Sequence, residues 1–246
     1  MLDTKSETEL ALARADVYRF LSMAFIYPDK EKLAELHELA SDLDASLNVL
    51  PYDMQEEFMA FASQIESADL DALQPDYTEL FLTRMFCPST ETTYGKNSFN
   101  QPNILGDISG FYKAFGFVMN DDANYAFDQV FIELEFMSFL ELKIAYALDQ
   151  NMDEQIDICL SAERRFLEQH IGKWTGVFGE NLAARANEAY YRSLGLLLSK
   201  FMGSELKYHG IEVDSRIKEL SKSDYEGPVE CPQNSSDEMD EPLPLH

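Results

Sequence analysis

The sequence predicts an all-α fold: a single-domain bundle of about ten helices, closed by a disordered acidic tail. Three observations predict it. Apolar residues recur three and four apart along nearly the whole chain, the spacing of one helix face. Capping residues, prolines and glycines break that pattern into separate helices. The 246 residues, 46% of them hydrophobic, are enough for a core that needs neither metal nor disulfide.

Ser6-Glu7-Thr8-Glu9 matches a capping box and predicts the first helix start. Leu10, Ala13, Val17, Leu21, Ala24 and Phe25 carry its stripe, and Pro28 ends it. Leu33, Leu36, Leu39, Leu43 and Leu47 mark a second helix. Asp53-Met54-Gln55-Glu56 opens a third, with Phe58, Phe61, Ala62 and Ile65 on one face. A fourth starts near Asp69 or Pro75 and runs to about Phe86. Residues 87–102, rich in Ser, Thr and Asn with two prolines and a glycine, read as a loop. A short helix follows near Leu105 to Phe115, with Gly116 as its left-handed cap. Asn120 to Asn124 is a polar turn. The longest helix is expected over Tyr125 to Gln150, its stripe Phe127, Phe131, Leu134, Met137 or Ser138, Ile144 and Leu148, interrupted by Glu141. Further helices are expected at 153–170, 172–182, 185–203 and 213–221. Residues 1–222 form the domain. Residues 223–246 form the tail, which from residue 224 has seven acids, four prolines and no Lys or Arg.

Charge excludes several functions. Asp plus Glu number 45 against 19 Lys plus Arg, a net of −26, and −19 remains without the tail. Nucleic-acid binding needs clustered bases, so no nucleic-acid partner is expected. Anionic membrane surfaces are disfavoured by the same sign. The charge suits a basic partner; it also serves solubility. No apolar run approaches membrane-span length, and Met1 to Glu9 lacks a secretory pattern. Three scattered cysteines, Cys87, Cys159 and Cys231, point to a reducing compartment, most simply the cytoplasm.

Catalytic chemistry is sparse. None of His37, His170, His209 and His246 has a Glu three residues before it, so di-iron pairs are absent. No cysteine pair has zinc spacing, and no phosphate-binding loop or nucleophile elbow occurs. No cofactor and no metal are expected. Glu133, Glu135 and Glu141 admit two readings, the wet face of a helix or a carboxylate site. Glu133 lies four residues before Met137 and so borders the apolar stripe, where an acid needs a partner or a groove mouth.

Several segments form a recognisable series. They are Tyr77-Thr78-Glu79-Leu80-Phe81, Pro88 to Tyr94, Tyr112-Lys113-Ala114-Phe115-Gly116, Asp128 to Met137, and Phe166 to Trp174 with His170 inside. In order and spacing this series resembles the TorD/DmsD family of redox-enzyme maturation chaperones. The resemblance implies an all-helical, cytoplasmic, non-catalytic protein. Its partners would be the twin-arginine leader and the catalytic subunit of a molybdopterin oxidoreductase, held for cofactor insertion before export. Pro88, Glu91, Tyr94, Asp128 and Gln129 fall on that family's leader-binding region, and Phe86 and Glu133 complete the candidate set. Gln129 stands where the family carries histidine; it keeps hydrogen bonding but cannot take a proton. A leader's apolar stretch would lie in a hydrophobic groove, with acids at the rim meeting its arginines. Two alternatives are a nitrate-reductase-type chaperone with a non-exported client, and a helical carboxylate metalloenzyme built on Glu133.

Overall fold

The computed structural model describes residues 4–94, 101–119 and 125–212. Among them are nine α-helices and no strand: α1 (Thr4–Ala24), α2 (Lys30–Val49), α3 (Gln55–Glu66), α4 (Leu70–Tyr77), α5 (Gln101–Phe115), α6 (Val130–Asp149), α7 (Asp153–Gln169), α8 (Ile171–Arg185) and α9 (Ala189–Tyr208). The expected turn at 120–124, helix at 213–221 and tail lie outside the described residues.

Helices α1 and α6 form the centre, and α8 with α9 pack as a second close pair. The stripe of α1 is buried as its spacing requires, with Val17, Tyr18, Phe20 and Leu21 all fully inside. Around them pack Phe61, Phe136, Phe166, Trp174, Phe178 and Phe201. Burying each such side chain contributes roughly 1.5–3 kcal/mol against exposure. Helices α8 and α9 approach so closely that a Cβ on Gly179 would lie 2.5 Å from the Gly195 carbonyl oxygen, and the reverse contact is equally short. Only glycine fits at either position.

Several expected boundaries shift, each for a local reason. Ser6 is not a cap, because α1 already begins at Thr4, and Thr8 Oγ1 donates to the Thr4 carbonyl. The fourth helix stops at Leu82 rather than Phe86. After Pro75 its ladder widens into a π-turn over Thr78–Leu82, closed by Thr83 N–H donating to Thr78 O. Asp69 is its cap, accepting from Asp71 N–H. Gly116 does cap α5, at φ +72°. The long helix starts at Val130, five residues later than expected, because the backbones of Asp128 and Val130 bond to the loop instead. The wet face expected of that helix exists at Glu135 alone among the three acids; Glu133 and Glu141 are fully buried.

Candidate functional site: the loop knot

The loop after the π-turn is stitched to the start of α6 by backbone bonds. Val130 N–H donates to Ser89 O at 2.8 Å and Glu91 N–H to Asp128 O at 3.0 Å, around an antiparallel bridge between Thr90 and Gln129. Side chains reinforce this. The Asp128 carboxylate accepts from Thr92 N–H (3.0 Å) and Thr92 Oγ1 (2.7 Å), Ser89 Oγ donates to Gln129 Oε1, and Tyr94 OH donates to the Pro88 carbonyl. A 3₁₀ turn, Glu91–Tyr94, aims Glu91 inward.

Beneath the loop, His170 occupies the single-residue break between α7 and α8. Its Nδ1 lies 3.0 Å from Glu91 Oε2 and its Nε2 lies 3.1 Å from Asp107 Oδ2, so both ring nitrogens face carboxylates. One turn further along α8, Trp174 Nε1 donates to Glu133 Oε2 at 3.2 Å, and the Tyr94 ring packs on the indole. Burial, followed by the charge of Glu91, pushes the Glu133 carboxyl well above its ordinary range; the Trp174 bond pulls the other way. Among the described residues, Glu133 Oε1 has no hydrogen-bond partner. Tyr112, also raised chiefly by burial and next by Glu133, donates to the Phe127 carbonyl. Cys87 is buried against Phe178 O, and burial pushes its thiol up to about 12, far from a reactive thiolate.

The structure therefore brings Pro88, Glu91, Tyr94, Asp128, Gln129 and Glu133 together in one knot. Phe86 stands apart from it, exposed on the outer side, its carbonyl held by Arg185. The arrangement differs from the expected rim of acids. Asp128 and Glu133 are 1% and 0% exposed, and Glu91 is 7% exposed. They turn inward, where Asp128 accepts from Thr92, Glu91 faces His170 and Glu133 accepts from Trp174, and they position the loop.

A second buried cluster was not foreseen. Arg14 on α1 reaches Glu141 (2.8 Å), Glu163 and Glu205, from α6, α7 and α9. Tyr18 OH donates to Glu205 Oε2 at 2.7 Å, Tyr52 OH donates to Oε1 of the same carboxylate, and His209 Nε2 sits 3.2 Å from Glu163. Burial disfavours ionised Glu163, yet Arg14 and His209 outweigh it and hold the carboxyl at about 2. Glu141 goes the other way: burial raises it more than Arg14 lowers it. The available signal was Arg14 itself, four residues after Leu10 and three before Val17, on the apolar stripe of α1. Among the described residues, the group with metal-ligand spacing is Glu163, Glu205 and His209, not Glu133 and its neighbours. The Arg14 guanidinium already points into those carboxylates.

Comparison with known proteins decides what this fold and loop belong to. Residues 30–180 match the family model of the nitrate reductase delta subunit. The chain belongs to that family. The match spans the π-turn, the loop, α6 and most of α8, so it contains every residue of the knot. The resemblance to TorD/DmsD chaperones, read from the motifs, holds with it. The chain is similar to a perchlorate reductase assembly chaperone protein of Dechloromonas aromatica (strain RCB), with 28% identity over 214 residues, covering 83% of this chain and 93% of that protein. It shares its fold with a crystal structure described as a redox enzyme maturation protein from Archaeoglobus fulgidus, at TM-score 0.50 and 21% identity, covering 77% of this chain and 93% of that one. Among the described residues of this family member, no helix is long and apolar enough to cross a membrane.

Proposed function

We propose that this delta-subunit family member is a cytoplasmic assembly chaperone, acting by binding rather than catalysis. It takes up the twin-arginine leader and the unfilled catalytic subunit of a molybdenum-cofactor oxidoreductase and holds them until the cofactor is inserted. The observation that carries this reading is the convergence of the motif segments. The loop, α5, the start of α6 and α8 each contribute a side chain to one knot, and that knot fixes a short loop at the surface. The knot is the scaffold. The contact surface is the half-buried Tyr94 and Gln129 that it holds in place, together with the exposed Leu82, Met85 and Phe86 of the preceding segment.

The physics of a leader suits such a surface. Covering three or four large apolar side chains contributes roughly 1.5–3 kcal/mol each, and ordering the leader costs several kcal/mol in return. Calorimetry with a client leader tests the reading. Replacing leader leucines by polar residues is expected to cost far more affinity than replacing both arginines by lysine, for which about tenfold is the ceiling. Absence of any leader binding overturns it.

A second reading is favoured by the burial of Glu91, Asp128 and Glu133, because acids engaged internally do not require an arginine-bearing ligand. In that reading the client is a nitrate-reductase-type subunit that is not exported. Co-purification with a client catalytic subunit from which the leader has been deleted separates the two: undiminished capture supports the second, loss of capture the first.

A further inference from the structure

The segment after the π-turn combines two features that rarely occur together. It is firmly held: Thr83 N–H bonds to Thr78 O, Cys87 N–H to Leu80 O, and Arg185 Nη1 to Phe86 O. Yet Leu82 is 58% exposed, and Met85 and Phe86 are 38% and 39% exposed. Met85 is also in the left-handed region, at φ +51°, a conformation that costs a non-glycine residue energy and that clusters at ligand sites. Alongside runs a cleft of about 820 Å³ between α4, the π-turn and the start of α9, lined by Tyr27, Asp71, Glu79, Thr83 and Glu188 among others. Arg84 bridges strip and cleft. Its Nη1 lies 3.1 Å from Glu79 Oε1, and its guanidinium carbon lies 5.6 Å from the centre of the Phe86 ring.

That geometry is a guanidinium site with an occupant: a carboxylate and an aromatic face grip one planar cation, as in arginine recognition generally. The occupant is weakly held. The Arg84 side chain is 65% exposed and Glu79 35%, and such surface pairs contribute little to stability. We propose that Arg84 is an internal stand-in for an arginine of the client leader. The leader's guanidinium displaces Arg84 from Glu79 and Phe86, Asp71 and Glu188 offer the adjacent carboxylates, and the apolar stretch of the leader covers Leu82, Met85 and Phe86. This inference rests on the leader-binding reading and adds to it a location, a direction and an internal competitor.

The test is calorimetry at low salt, with the full chain and a synthetic peptide of two consecutive arginines followed by a leucine-rich stretch. Arg84→Gln is expected to tighten binding by about two- to fivefold, the range of an exposed pair. Glu79→Gln and Phe86→Ala are expected to weaken it, and Glu79→Gln is expected to cancel the gain from Arg84→Gln. Lys5→Gln, which removes a base from the far end of the chain, controls for overall charge and is expected to leave affinity unchanged. Thermal melting verifies that each variant folds. If the unaltered chain binds the peptide but Arg84→Gln does not tighten it, or Lys5→Gln tightens it equally, the stand-in is wrong and the leader reading survives. If the unaltered chain leaves the peptide unbound, the leader reading falls and this inference with it.

Discussion

The Arg14 clasp and the His170 knot are both buried clusters of acids, but they neutralise charge in different ways. In the clasp, a permanently charged guanidinium serves three carboxylates from three helices. In the knot, a histidine, an indole N–H and hydroxyl and backbone donors serve Glu91, Glu133 and Asp128, and among the described residues Glu133 keeps one oxygen unbonded. The clasp guanidinium keeps its charge at every working pH, whereas burial holds the knot's Glu133 carboxyl well above its ordinary range. The clasp is therefore tied by a fixed cation, although its Glu141, like Glu133 of the knot, is raised chiefly by burial. The difference also follows chain distance. The clasp joins α1 to α9, almost the full length of the domain, whereas the knot pins one loop.

The largest expected effect lies in the clasp. Arg14→Met leaves three buried carboxylates without their cation, and breaking such a group costs about 3–5 kcal/mol. Chemical denaturation is expected to show a loss of that size or an insoluble product; near-normal stability would mean that the acids neutralise themselves by taking up protons. The clasp also sets an acid limit. Because Glu163 is held at about 2, below its ordinary value of 4.5, its contribution is complete above about pH 4.5 and is lost as pH falls towards 2.

Next comes the loop tie. Asp128→Ala deprives Thr92 of two bonds, a loss of about 1–3 kcal/mol. Hydrogen exchange is expected to show faster exchange at the Thr92 and Glu91 amides, with the α8–α9 core unchanged. Uniform acceleration would show that the knot and the core open together. Leader binding should weaken through the loosened loop rather than through a lost contact.

Helix positions were legible because burial follows a period of 3.6, and α1 through α3 and α7 through α9 obey it with shifts of a few residues at their ends. The late start of α6 was not legible. Asp128 and Val130 give backbone bonds to a loop some forty residues earlier, and no local propensity encodes that partner. The motif series named most of the residues that the knot brings together, but not the partners that bury its acids. Acids at a rim were expected to meet the leader's arginines, whereas Glu91, Asp128 and Glu133 are buried, with partners His170, Thr92 and Trp174 arriving from other segments. Arg14 belonged to no motif, and its three partners lie more than 120 residues away.

A smaller effect, opposite in sign, sharpens the contrast. Glu133→Gln keeps an acceptor for Trp174 and removes a group that resists ionisation. An acid raised on folding loses stability for the protein as pH climbs from its unfolded value near 4.5 towards its folded value. The variant is expected to gain stability over the unaltered chain in denaturant melts as pH rises above about 4.5, with the advantage vanishing near pH 4.5. A pH-independent difference would place the proton elsewhere in the knot. The smallest effect is that of Tyr94→Phe, which loses the bond to the Pro88 carbonyl but keeps the contact with Trp174. About 1 kcal/mol or less is expected from denaturant melts, and a larger loss would make the hydroxyl, not the ring, the fastening of the loop.

The glycine seam between α8 and α9 has a mechanical meaning. Helix α8 carries Trp174 under the loop and Arg185 behind Phe86, and the lead-in to α9 supplies Glu188, with Asp76 of α4 accepting the Asn187 and Glu188 amides. The thickness of the seam thus fixes the gauge between the two banks of the surface where a partner is proposed to lie. A single methyl group at Gly179 or Gly195 would spread those banks from below, altering what fits between them without changing one atom that a partner could touch.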